Sequence, residues 1–88
     1  MDNKDALSWI SHYVGNWLYQ LPMHYELGDL QAAERVRSSL IRKLESMDKH
    51  PYFDEVIAKL NLFGSWESQD ESDNFRDWYL KWEDNIVK

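Results

Sequence analysis

Five carboxylates and one indole gather around the start of the last amphipathic segment: Trp66, Glu67, Asp70, Glu71, Asp73 and Asp77. No lysine or arginine interrupts residues 65–74, so this stretch carries −4 of a whole-chain charge of −6. Carboxylates at that density can do two things. At a helix start they accept from free amides and oppose the positive end of the dipole. On a surface they attract cationic side chains and speed encounter. Capping accounts for one or two of them, whereas a neighbouring tryptophan in a loop is the residue type favoured at interface hot spots. The six are therefore expected to form one acidic patch that binds a protein partner with a basic surface, as inhibitors, immunity proteins, DNA mimics and accessory proteins do.

Other chemistries lack their residues. His12, His24 and His50 lie far apart and form no H-x-x-x-H or E-x-x-H pair, so no metal site is expected. Asp70, Ser72 and Asn74 imitate the first positions of a calcium loop, but Phe75 stands where glycine is needed and Lys81 where the bidentate glutamate belongs. Glycines occur singly at 15, 28 and 64, which gives no phosphate-cradling loop and no cofactor expectation. With no cysteine, disulfides, thiolate ligands and cysteine nucleophiles are excluded. The net negative charge argues against direct nucleic-acid contact. The carboxylates fall on solvent faces and helix starts, not in a recessed pair, so no catalytic residue and no enzyme is expected.

The elements that must hold these side chains are helices. Eighty-eight residues make one domain at most, burying roughly 60–65% of the unfolded surface, and 43% hydrophobic content argues against disorder. Apolar positions recur at helical spacing over 4–21, 29–48, 51–63 and 69–86, which predicts an all-α domain of four amphipathic helices spanning 1–88. An antiparallel bundle is the simplest packing, ahead of an irregular orthogonal array. Pro22 is expected to end the first helix and turn the chain through Met23, His24 and Tyr25. Asp29 should cap the second, Pro51 open the third, Gly64 close it in a left-handed conformation, and Ser68 with Glu71 form a capping box for the fourth. Trp9, Tyr13, Trp17, Trp78, Tyr79 and Trp82 fall on the apolar stripes and read as core, leaving Trp66 as the one wet tryptophan.

The stretch Tyr25-Glu26-Leu27-Gly28-Asp29-Leu30-Gln31-Ala32-Ala33 resembles the turn between the helices of a tetratricopeptide repeat. No second copy follows at that repeat's period of about 34 residues, which leaves an ordinary helical hairpin. Arg37 falls inside the apolar arc of the second helix and needs a partner, either Glu34 on its own helix or an acid from another. Leu62, Leu80 and Val87 lie off the stripes, and Leu80 with Val87 offers a homodimer surface as the alternative mode of action, a structural or oligomerisation module.

Residues 6–25 contain no Asp, Glu, Lys or Arg, but Ser8, Ser11, His12, Gly15, Asn16, Gln20 and Pro22 break the run, so no membrane span is expected. The N-terminus lacks the basic and apolar regions of a signal peptide, which predicts a cytoplasmic protein.

Overall fold

The computed structural model describes residues 1–87. It is an all-α bundle of four helices: α1 (Asn3–Glu26), α2 (Leu30–Glu45), α3 (Pro51–Leu62) and α4 (Gln69–Val87). Among the described residues there is no strand, and no helix is long and apolar enough to cross a membrane. Helices α1 and α3 are central, each packing on the other three elements, while α2 and α4 flank them without meeting. Ile10, Val14 and Leu21 of α1 meet Val36, Leu40 and Leu44 of α2, Phe53, Val56 and Leu60 of α3, and Phe75 and Tyr79 of α4 in one core.

Each boundary has a local cause. Asp2 caps α1 by accepting from the Asp5 amide (2.8 Å), and Asp29 caps α2 by accepting from the Ala32 amide (3.0 Å). At α3 the cap is His50, whose Nδ1 accepts from the Tyr52 amide (3.0 Å) while Nε2 meets Asn3 Oδ1 (2.9 Å). His50 thus ties the starts of α1 and α3 together.

Two helix ends differ from expectation. Pro22 lies inside α1, which continues to Glu26. The ring sits on the exposed side of the helix, and burial of the flanking Leu21 with partial burial of Tyr25 holds the last turn against the core. The chain turns instead at Gly28, with φ of 72°. There the Asp29 amide donates to the His24 carbonyl (2.9 Å) and the Gly28 amide to the Tyr25 carbonyl (3.1 Å), the paired bonds of a Schellman cap. Gly64, conversely, is not left-handed. Its requirement is space, since a Cβ there would lie 2.7 Å from the Arg37 guanidinium.

Candidate functional site

The 63–68 connection arranges the start of α4, and it does so by going inward. Trp66 is 0% exposed, packed on Phe75 with ring centroids 5.5 Å apart. A loop residue can be buried only where its backbone polar groups find partners. Its amide donates to Glu34 Oε2 (2.7 Å), and its carbonyl accepts from the Tyr25 hydroxyl (2.8 Å). Side chains of α2 and α1 thus satisfy the loop backbone, and the indole is core. This corrects the expectation of a wet Trp66 at the rim of a binding patch. The reverse holds for Trp9, expected inside but 42% exposed, because the first turns of the 24-residue α1 extend along the bundle with only one side covered.

The Glu34 carboxylate organises this region. Besides the Trp66 amide it accepts from Arg37 Nε (3.0 Å), from Arg37 Nη2 and from the Ser65 hydroxyl (3.1 Å). Arg37 also donates through Nη1 to the Leu60 carbonyl (2.9 Å), one of the last-turn carbonyls of α3 that lack a partner within the helix. Of the two partners open to Arg37, the one on its own helix is used, and the pair clamps the α3 terminus and the loop together. The Arg37 hydrogen bonds hold the Glu34 carboxyl below the usual glutamate range against partial burial, helped by the Trp66 amide and Ser65.

Tyr25 braces the other side of the loop. Its hydroxyl stands 2.8 Å from Ser72 Oγ as well as from the Trp66 carbonyl, and Ser72 Oγ donates to the Gln69 carbonyl (2.9 Å). Burial pushes the phenol above its ordinary value against the Ser72 bond, with Asp73 and Glu34 adding to the rise. Tyr79 is shifted the same way, chiefly by burial, but its hydroxyl lies near Ser11 and Glu83 without a hydrogen bond of good geometry. The two phenols should separate under mutation. Tyr25→Phe should cost about 1–2 kcal/mol by orphaning the Trp66 carbonyl, while Tyr79→Phe, which removes an unsatisfied hydroxyl, should be neutral or slightly stabilising. Both raised phenols contribute stability that is complete below the ordinary tyrosine value near about 10 and is lost as pH rises through the folded-state values. Denaturant titrations from neutral to strongly alkaline pH should show that loss, reduced in Tyr79→Phe.

Above this scaffold lies the acidic face. Glu67, Asp70 and Asp77 are exposed, whereas Glu71 and Asp73 are half-buried and Asp73 pairs with Arg76 one turn on (3.6 Å). The expected capping box does not form: the Ser68 amide donates to the Ser65 carbonyl (3.2 Å), closing the loop instead of waiting for Glu71. The six-residue patch is thereby reduced, but α4 extends it, since Asp70, Asp77 and Asp84 are exposed and seven residues apart on one stripe. Beside the stripe, Leu80 and Val87 are exposed and line a shallow open depression of about 330 Å³ with Glu83 and Asp84. Between α1 and α4 a recess lined by Leu18, Leu21, Tyr25 and Arg76 has room for one or two water molecules (about 30 Å³). Among the described residues, no three His, Asp or Glu side chains converge as a metal site would require.

No known protein family and no solved structure matches the chain. A 33-residue segment is 42% identical to an uncharacterized protein of Aquifex aeolicus (strain VF5), covering 38% of this chain and 7% of that protein. The chain therefore spans a small part of that protein's length.

Proposed function

We propose that this protein is a non-catalytic interaction domain whose acidic face, Glu67 of the loop before α4 with Asp70, Asp73 and Asp77 of the helix, binds a basic surface on a protein partner. The observation that supports the reading is the persistence of exposed carboxylates beyond the first turn of α4. Dipole and capping effects fade within one turn, so they account for Asp70 and Glu71 but not for the exposed Asp77, two turns into the helix. Leu80 and Val87 beside the stripe add apolar contact area to an electrostatic docking face. The same pair is a poor meeting point for two copies of the chain, because Glu83 and Asp84 share its surface and would face their own kind.

The test neutralises Glu67→Gln, Asp70→Asn and Asp77→Asn together, all on exposed positions, and compares the variant with the parent chain. Helicity should be unchanged. Partners captured from a lysate of the native organism at low salt should elute early from the variant, with association slowed about tenfold and the salt dependence flattened. Retention of the same partners with an unchanged salt slope would remove the proposal.

A further inference from the structure

The side of α1 turned away from the core carries a second pattern. Trp9, His12, Asn16, Tyr19 and Met23 follow at spacings of three, four, three and four residues, the spacing of a coiled-coil seam. All five are exposed, Tyr19 at 87% and Met23 at 57%. Trp9 stacks on Tyr13 through one face (centroids 5.7 Å, interplanar angle 15°) and meets the His12 ring edge-on (6.3 Å, 81°), which leaves it 42% exposed. Asp, Glu, Lys and Arg are absent from residues 6–25, in a chain whose other three helices all carry exposed charges.

We infer that this seam is a homodimer interface, in which α1 of a second copy packs antiparallel on α1. Three observations identify a copy as the occupant. First, the chain carries −6, so another copy is repelled by its acidic surfaces, and residues 6–25 of α1 are the one long stretch of helix without Asp, Glu, Lys or Arg to repel it. Second, the seam is complementary to itself. In antiparallel coiled-coil layering, Trp9 meets the partner's Tyr19, and His12 meets the partner's Asn16, with the same two pairs repeated across the two-fold axis. Aromatic rings face aromatic rings, and the imidazole and amide, which need hydrogen-bond partners once covered, find each other. Third, the axis of that layering falls at Val14, the middle of α1 (Asn3–Glu26), so the uncharged stretches 6–22 of the two helices overlie one another, with Glu26 opposite the partner's Asp2 only at the two ends. With large side chains offering on the order of 150–250 Å² each when fully open, the pair covers on the order of 1,000–1,200 Å² in total, the lower edge of a stable interface. This surface is independent of the acidic face of α4, so either can fail alone.

Sedimentation equilibrium from about 1 µM to about 1 mM should show a monomer–dimer equilibrium that tightens with salt, as screening relieves the mutual repulsion. Tyr19→Glu and, separately, Met23→Glu should each weaken it at least about tenfold without changing helicity, since both side chains face solvent in the monomer. Because the chain has no cysteine, His12→Cys and Asn16→Cys variants read the register. Mixed, they should cross-link to one another faster than either does to itself. A monomer throughout the concentration range overturns the inference. So does a dimer that survives Tyr19→Glu but is lost in Leu80→Asp, and faster self-cross-linking of each variant excludes the antiparallel arrangement.

Discussion

Trp66→Ala should lose about 3–5 kcal/mol of stability, the range for truncating a fully buried aromatic. A domain of this size has on the order of 5–10 kcal/mol in total, so the variant should be partly unfolded near physiological temperature. The effect arises because the indole fills the space between the loop and Phe75 with no exposed atoms. Its amide and carbonyl bonds to Glu34 and Tyr25 would survive truncation but would anchor a loop with nothing beneath it. Chemical denaturation read by circular dichroism measures the loss. In the parent chain, quenching should find Trp9 accessible and Trp66 protected. A loss below about 1 kcal/mol would place Trp66 at the surface instead.

Arg37→Ala is expected to cost about 3 kcal/mol, against no more than about 0.5 kcal/mol for Arg35→Ala on the same helix. Arg35 is well exposed and lies 3.9 Å from Asp29, whereas the Arg37 and Glu34 side chains are only 15% and 24% exposed. Removing the guanidinium leaves Glu34 half-desolvated and the Leu60 carbonyl without its donor. Gly64→Ala should act through the same group, because its Cβ would displace the guanidinium. The two substitutions should therefore be strongly non-additive, with Gly64→Ala costing much less in the Arg37→Ala background. The clamp also predicts a pH response. Glu34 titrates lower in the folded chain than in the unfolded one, so its contribution is complete above the ordinary glutamate value near about 4.3 and is lost as pH falls through the depressed folded value. Glu34→Gln should flatten stability in that acidic window.

The helices themselves were legible from spacing alone. Apolar residues at i, i+3, i+4 and i+7 place Ile10, Val14, Val36, Leu40, Val56, Leu60 and Phe75 in the core with no knowledge of the partners, because a helix fixes the relative direction of its own side chains. The same rule put Leu80 and Val87 outside, where they are. It failed at Trp9, on a helical stripe whose first turns are covered on one side only, and where direction is not inherited from a helix. Trp66 sits on an irregular connection, and only the convergence of Glu34 from α2 and Tyr25 from α1 decides that it points inward. Gly64 was conspicuous in the sequence for backbone freedom, yet what it provides is room for an arginine 27 residues earlier. Pro22 looked like a stop because a helix interior loses one bond there, a cost that packing of Leu21 and the Tyr25 cross-brace outweighs. The acidic cluster was visible as composition, and the helix predicted over 69–86 already carried Asp70, Asp77 and Asp84 at seven-residue spacing; the structure adds that all three are exposed. The three-four spacing on α1 was present in the letters throughout. What marks it as surface is which side of that helix the other three cover, and periodicity within a single segment carries no information about its neighbours.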